Sequence, residues 1–343
     1  MTDSNNSKNW FIYGNNEPQK QLKAVIEKGP PSWRNFEVTT RRTAYEFQIG
    51  QEELEVVNTA IYLRRPLLVT GDPGTGKSSL AYSIAEKLGL GKVLTWPITS
   101  RSILKDALYR YDAIGRLQDA NLIGRNEEVK KPPIEKYLTL GPLGTALADS
   151  QEMPRVLLLD EIDKSDIDLP NDLLYIFEEG EFEIPELSRL GNSDDEKENS
   201  TFHIRKHHSS SIEDTVKIER GRVQCKLFPI VIMTSNGERE LPAPFLRRCL
   251  RLDMKRPNQE KLEQIVAAHF GNNTPSLDNF IFHVLDERNK GGLVATDQLM
   301  NAIYLAKELV FANNASETVG KLSPEDEKMI VDIVLKSISR VRR

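Results

Sequence analysis

A glycine-rich turn followed by a lysine and a hydroxyl offers the clearest chemistry in this chain. Residues 71–78 read GDPGTGKS and fit the phosphate-binding pattern G-x-x-x-x-G-K-[ST] at every fixed position. The apolar run Leu67–Thr70 before the turn is typical of a strand, and the run 79–88 after it is typical of a helix. Strand, loop and helix in this order are the setting in which the pattern binds phosphate.

Each residue type in this loop has a physical reason to be there. Glycines let the backbone curl until successive N–H groups point at phosphate oxygens, and the helix N-terminus adds partial positive charge. Lys77 can reach the β- and γ-phosphates, and the Ser78 hydroxyl can bind Mg²⁺. The loop residues predicted to bind nucleotide are Gly71, Asp72, Pro73, Gly74, Thr75, Gly76, Lys77, Ser78 and Ser79.

Two acids at the end of an apolar run form the second feature with chemistry. The run 155–159 reads RVLLL and is followed by Asp160 and Glu161, which predicts a buried parallel strand with carboxylates at its C-terminal edge. Ligands of open α/β sheets bind at that edge. We expect Asp160 to hold Mg²⁺ and Glu161 to orient and polarise the attacking water. A strand that merely ends in solvated acids is the alternative, and the phosphate-binding pattern upstream disfavours it.

Three further places could complete such a site. The apolar run 227–234 precedes Asn236, whose amide could hydrogen-bond the water or the γ-phosphate. Arg247 and Arg248 follow and could face the nucleotide of a neighbouring subunit, although a solvated arginine pair is the simpler interpretation. Ile49 and Gly50 begin a helical pattern upstream of the loop, where the glycine would allow close approach to a nucleotide base.

Composition narrows the class of protein. The 343 residues are 39% hydrophobic and 28% charged, which is typical of a globular protein of about two domains. A net charge of −5 argues against a dedicated nucleic-acid binder. The two cysteines form neither a metal pattern nor a disulfide framework, and neither a signal pattern nor a membrane span is evident, so we expect a cytoplasmic protein.

The distribution of apolar patterns predicts three parts. An N-terminal extension covers 1–40, with aromatics that either pack on the main domain or form an arm for docking a partner. An α/β nucleotide-binding domain covers 41–256, with a surface insertion at about 99–140 and a hydrophilic one at about 181–227, within which 188–221 reads as a largely solvated hairpin or loop. From 257 to 343 the patterns are helical only, which predicts an all-helical lid.

Taken together, residues 45–310 resemble the AAA+ ATPases and, within them, the MoxR family. Gly71–Ser78 resembles the Walker A motif, Asp160 and Glu161 resemble Walker B, and Asn236 resembles sensor 1. The stretches 108–114 (LYRYDAI) and 160–174 resemble a MoxR subgroup. The resemblance implies a P-loop NTPase fold, with a parallel sheet between helices and a C-terminal all-helical lid, and ATP bound between the two.

The resemblance also implies an activity. It implies ATP hydrolysis with Mg²⁺, an arginine finger at Arg248 or Arg247 acting on a neighbour, and therefore a homo-oligomeric ring, expected to be a hexamer. MoxR-like proteins are thought to remodel or mature a client protein, often one with a von Willebrand factor A domain. The alternative to a remodelling ATPase is an ATP-binding switch with low turnover in a signalling or defence system. A DNA-directed motor is a third possibility, which the net negative charge of the chain disfavours. The chain departs from the family at sensor 2, where no arginine stands in 291–297 and Lys290 is the candidate substitute.

Overall fold

A computed structural model describes residues 12–13, 17–34, 49–123, 132–191, 201–209, 211, 213–271, 277–292, 294–313 and 324–336. The chain divides into two compact units. The larger one contains residues 49–72 and 77–254, and the smaller one contains 1–48, 73–76 and 255–343.

The helices, in chain order, are α1 Pro18–Lys28, α2 Gln51–Leu63, α3 Lys77–Lys87, α4 Leu104–Leu108, α5 Ala113–Ile123, α6 Pro142–Ala148, α7 Asp168–Glu179, α8 Pro185–Gly191, α9 Ala243–Arg248, α10 Gln259–Phe270, α11 Leu277–Asn289, α12 Thr296–Asn313 and α13 Pro324–Ile333. The strands are β1 Leu67–Thr70, β2 Leu94–Pro97, β3 Tyr109–Tyr111, β4 Leu138–Leu140, β5 Val156–Asp160, β6 Glu181–Glu183, β7 Thr201–Arg205, β8 Thr215–Glu219, β9 Arg222–Gln224, β10 Ile230–Ser235 and β11 Leu250–Asp253.

A five-stranded parallel sheet forms the centre of the larger unit. Its order is β11-β1-β10-β5-β2, so β10 lies between the strand before the glycine-rich loop and the strand that ends at Asp160. Val156–Leu159 are at most 1% exposed, because a parallel sheet covered on both faces buries successive side chains on either side. The predicted α/β fold, with a parallel sheet followed by C-terminal helices, is confirmed.

A second, six-stranded sheet has the order β3-β4-β7-β8-β9-β6. In it, β7 and β8 pair so that Phe202 lies opposite Ile218 and Ile204 opposite Val216, and all four side chains are buried. Of the predicted solvated hairpin or loop over 188–221, the hairpin is present in β7 and β8, but the expectation that it is largely solvated is wrong for these strands. The two-residue alternation of apolar and polar side chains was present in the sequence, but each run is only five residues long and lies among charged residues. Residues 192–200, 210 and 212 lie outside the described part of the chain.

The stretch 99–140, expected to be exposed, is only partly so. Ala107 and Tyr109 before α5, and Leu138 after it, are buried in the larger unit. Helix α5 itself exposes Ile114 and Leu117, by 71% and 63%. Residues 124–131 are not among those described.

The smaller unit is helical in its described residues. Helices α10 to α13 bury apolar side chains that include Val266, Phe280, Ile303 and Ile330. The helical patterns predicted from 257 onward are present as α10 to α13 in the described residues; α13 ends at Ile333, and 337–343 lie outside the described residues. No helix in the described ranges is both long and apolar enough to cross a membrane.

The N-terminal extension contributes an aromatic side chain to the smaller unit. Trp33 donates from Nε1 to Asn301 Oδ1 at 3.0 Å and meets Phe270 and Tyr304 edge to face. For Trp33, this corrects the expectation that the aromatics of 1–40 pack on the main domain. Trp10 and Phe11 are outside the described residues, and Tyr13 is exposed.

Candidate active site

The candidate catalytic side chains follow three neighbouring strands of the parallel sheet. Strands β1, β10 and β5 are adjacent and parallel, so their carboxyl ends lie at one edge of the sheet. Thr70 pairs in register with Ser235, and Met233 pairs with Leu159. The sheet order therefore brings the start of the glycine-rich loop, Asp160 and Asn236 to that edge.

The loop after β1 requires glycine at its first position. Gly71 has φ +140°, and a Cβ there would lie 2.4 Å from the carbonyl oxygen of Met254. Gly71 and Asp72 belong to the larger unit, whereas residues 73–76 group with the smaller one.

Lys77 is the first residue of α3 and is only 7% exposed. Its Nζ donates to the carbonyl oxygens of Gly71 and Asp72, at 2.8 and 2.9 Å. Burial lowers the pKa of Lys77, and the carboxylates of Asp163, Asp72, Asp160 and Glu161 oppose this shift. The ammonium group is thus held at the base of the loop, surrounded by acids that favour its charged form.

Ser78 and Asp160 are in direct contact. The Ser78 hydroxyl donates to Asp160 Oδ1 at 2.6 Å, although the two residues are 82 positions apart. The Thr234 hydroxyl donates to the same oxygen at 2.7 Å. The residues predicted to bind Mg²⁺ are therefore neighbours, and their orientation is set by a threonine on β10.

Glu161 adopts a left-handed backbone conformation, with φ 63° and ψ 53°. Non-glycine residues rarely do so, and such strain is concentrated at functional sites. Its backbone N–H donates to Thr234 Oγ1 at 2.8 Å. Its Oε1 accepts from Asn236 Nδ2 at 3.2 Å, and its Oε2 accepts from Lys164 Nζ at 2.6 Å. The structure thus brings Glu161 and Asn236 together.

Ile49 and Gly50 lie at the start of α2. Gly50 is the N-cap, and its backbone N–H donates to Glu53 Oε2 at 2.7 Å in a capping box. A Cβ on Gly50 would meet only the Glu53 side chain, at an ordinary 3.6 Å. The contacts of Gly50 are therefore those of a helix N-cap. Contact of Ile49 and Gly50 with a nucleotide base stays a prediction.

Arg247 and Arg248 form the last turn of α9. Arg248 Nε donates to Glu178 Oε1 on α7 at 2.5 Å, in an ion pair whose side chains are 43% and 52% exposed. Arg65 donates to the carbonyl oxygens of both arginines, at 2.5 and 3.1 Å, which fixes the end of α9. The Arg248 guanidinium therefore belongs to this separate cluster with Glu178 and not to the hydrogen bonds around Asp160.

The region of the missing sensor 2 arginine lies in the smaller unit. Lys290 is exposed and donates to Asp286 Oδ2 at 2.5 Å, one turn earlier in α11. Arg288, which the sequence did not single out, donates to the carbonyl oxygens of Val294 and Pro257 and lies 3.5 Å from Thr296 Oγ1. Arg288 therefore ties the start of α12 to the end of α11.

Thr234 belongs to the candidate site, although the sequence alone did not indicate it. It is 1% exposed, and its hydroxyl joins Asp160 to the backbone of Glu161. The available signal was a polar residue that directly follows the apolar run Ile230–Met233, two positions before Asn236.

Replacing Thr234 with valine should lower both stability and ATP turnover. Valine has the same shape but lacks the hydroxyl, so the part-buried Asp160 Oδ1 loses one of its two donors and the Glu161 backbone N–H loses its acceptor, at about 1–3 kcal/mol. Denaturant midpoints together with steady-state hydrolysis would measure the two losses. Thr95→Val is a matched control, because it removes a hydroxyl from β2 of the same sheet that meets only Tyr82 in the described contacts. Equal behaviour of the two variants would contradict the role of Thr234.

The residues at this edge fit a magnesium ion. Mg²⁺ prefers oxygen ligands and is usually held by one or two protein groups together with phosphate and water. The Ser78 hydroxyl and the Asp160 carboxylate, 2.6 Å apart, offer such a donor pair. Among the described residues, no group of three or more His, Cys, Asp or Glu side chains is placed to hold a metal ion.

The fold and the site together define the class of protein. A parallel sheet with the order β11-β1-β10-β5-β2, a phosphate-binding sequence after β1 and an acidic pair at the end of β5 make this a P-loop nucleotide-binding fold with an AAA core. The chain belongs to the AAA domain family, in its dynein-related subfamily, whose model matches residues 66–249, more than half of the chain.

Comparison with solved structures gives a more distant likeness. The structure of C. elegans PCH-2 aligns with a TM-score of 0.42 and 16% identity, over 87% of this chain and 72% of that chain. The comparison with curated proteins returned no match.

Proposed function

We propose that this chain is an ATPase that hydrolyses ATP to ADP and phosphate with Mg²⁺. The observation that supports this most directly is the 2.6 Å contact between Ser78 of the phosphate loop and Asp160 of the acidic pair. Membership of the AAA domain family supports the same activity.

In this proposal the chain's residues have distinct tasks. Lys77 brings a buried positive charge to the loop, where phosphate oxygens would replace the carbonyl oxygens as its acceptors. Ser78 and Asp160 would hold Mg²⁺, which neutralises charge on phosphate oxygens when bound. Glu161 orients the water and withdraws its proton, while Asn236 and Lys164 hold the two oxygens of its carboxylate in place.

Within the ATPases, we propose that this chain is of the MoxR type. On this view the chain assembles as a homo-oligomeric ring, expected to be a hexamer, in which Arg248 or Arg247 acts on the neighbour's nucleotide. Hydrolysis is then coupled to remodelling or maturing a client protein, with a von Willebrand factor A domain protein as the expected class of client. The motif stretches 108–114 and 160–174 support this reading. The division into an extension at 1–40, a nucleotide-binding domain at 41–256 and a helical lid at 257–343 is part of the same proposal.

A low-turnover switch is the second candidate. Two ion pairs favour it, because Lys164 neutralises Glu161 and Glu178 neutralises Arg248. Both pairs are partly exposed, so each stabilises the resting state by only about 0–1 kcal/mol, and a bound ligand could displace them, as a switch requires. Comparing turnover of the assembled protein with and without its client separates the candidates: a remodeller turns over continuously when the client is present, and a switch does not.

Replacing Lys77 with alanine should weaken Mg·ATP binding by about 10- to 150-fold, because a hydrogen-bonding charged group is worth about 1.5–3 kcal/mol. Isothermal titration with Mg·ATP measures the loss directly. Lys87→Ala is the matched control, since Lys87 is exposed in the last turn of the same helix. Unchanged affinity in Lys77→Ala would refute the role of Lys77, and a wild-type chain that fails to bind Mg·ATP would overturn the proposed function.

A further inference from the structure

Asp163 is a buried carboxylate close to the site with no task in the mechanism above. It lies in the short 3₁₀ turn Ile162–Lys164 that follows Glu161, and it is 2% exposed. A charged side chain is rarely so buried without partners or a function. Its surroundings therefore call for an explanation.

One oxygen of this carboxylate binds the loop that carries Asn236. Oδ2 accepts the backbone N–H of Asn236 and the backbone N–H of Glu238, both at 2.9 Å. The same loop is closed by Gly237 N–H donating to Ser235 Oγ at 3.1 Å. Asp163 thus holds the main chain on both sides of Gly237.

A second contact joins the same two segments. Arg239 Nη1 donates to the carbonyl oxygen of Ser165 at 2.5 Å, just beyond the 3₁₀ turn. The turn after β5 and the loop after β10 are therefore linked at three points: two at Asp163 and one at Arg239. The Asn236 side chain reaches Glu161 Oε1 from this fixed main chain.

The other oxygen, Oδ1, is buried and has no hydrogen-bond partner among the described residues. Leaving a buried carboxylate oxygen unpaired is unfavourable, so stability alone is a poor reason for an acid at this position. An asparagine would supply the same acceptor oxygen to both N–H groups.

We propose that Asp163 is a positioning residue for ATP hydrolysis: it fixes the backbone of Asn236 and Glu238, so that the Asn236 amide meets the carboxylate of Glu161. This inference rests on the proposed ATPase function. It assigns to Asp163 an effect on hydrolysis that acts through its hydrogen bonds to the loop of Asn236. Asp163→Asn separates these bonds from the charge that favours the Lys77 ammonium, because it keeps an acceptor oxygen and removes the charge.

A double-mutant cycle on kcat tests this route. In the full-length protein, Asp163→Ala should lower kcat by up to about 10²-fold, the effect of a misplacement of about 1 Å, with little change in KM. In an Asn236→Ala background the same substitution should lower kcat no further, because the group that it positions is already gone. Asp163→Asn should keep kcat close to that of the wild type, since one acceptor oxygen remains.

Amide hydrogen exchange gives a readout that does not depend on activity. The Asn236 and Glu238 amides should exchange faster in Asp163→Ala than in the wild type, and Asp163→Asn should restore their protection. Should Asp163→Ala fail to fold, the cycle is measured with Asp163→Ser, whose shorter side chain cannot span the same bonds.

The outcomes separate this inference from the proposed function. The role of Asp163 is overturned if the two kcat losses in the cycle are additive. It is also overturned if Asp163→Ala has the kcat and the amide exchange rates of the wild type. In both cases the wild-type protein still hydrolyses ATP, so the proposed function is unaffected. A wild-type chain that binds but does not hydrolyse Mg·ATP overturns the proposed function and this inference with it.

Discussion

Replacing Glu161 with glutamine is expected to lower kcat for ATP hydrolysis by about 10²–10⁴-fold, the usual contribution of a positioned general base. Glutamine cannot take a proton from the attacking water. Its carbonyl oxygen can still accept from Asn236 Nδ2, so the geometry around the side chain is retained. Binding of Mg·ATP should persist, because Lys77, Ser78 and Asp160 are unchanged.

Single-turnover hydrolysis and equilibrium binding, measured on the same preparation, distinguish the loss of chemistry from the loss of binding. The ion pair from Lys164 to Glu161 is also lost, but its side chains are 40% exposed, so the variant should fold normally. Glu179→Gln, at the exposed end of α7, is the control for a neutralised carboxylate away from the site. Normal turnover in Glu161→Gln would show that another group is the base.

Replacing Arg248 with alanine should lower turnover of the assembled protein by about 10³–10⁵-fold, which is the contribution of an arginine finger. The effect should fall on kcat, since the finger stabilises charge that develops in the transition state. The Arg65 bonds to two carbonyl oxygens fix the end of α9, and the partner of the Arg248 side chain, Glu178, is an exposed acid that the phosphate group of a neighbour's nucleotide would replace under this proposal. Arg247→Ala is the matched control and decides which of the two arginines acts.

Mixing variants tests whether the finger acts on a neighbour. An Arg248→Ala protomer has an intact base, and a Glu161→Gln protomer has an intact finger, so mixed assemblies should recover hydrolysis that neither variant shows alone. For the same reason, wild-type turnover per chain should rise with protein concentration. If the mixture is as inactive as each variant alone, Arg248 does not act on the nucleotide of a neighbouring protomer.

The sequence alone determined the features that depend on short, local patterns. The loop at 71–78, the strand ending at Asp160 and the apolar run before Asn236 are each encoded within about ten consecutive residues, and the structure contains each strand and loop where the pattern predicts it. The C-terminal helices were predicted for the same reason, because their apolar spacing is visible within each segment. Because these motifs are short and continuous, candidate catalytic residues could be named from the sequence alone.

Only the tertiary structure decided which side chains support those residues. Thr234 bonds to Asp160, Asp163 bonds to the backbone of Asn236, and Arg248 bonds to Glu178, across 70 to 74 positions of sequence. These contacts exist because β10 lies beside β5 and α9 lies near α7, and no short pattern encodes that adjacency. The second sheet also depends on tertiary structure. Apolar and polar side chains alternate in β7 and β8 over only five residues each, and the apolar side chains are buried only once the two strands pair. Consecutive residues determine which side chains are available for catalysis. The orientation of those side chains depends on which strands lie next to each other in the sheet.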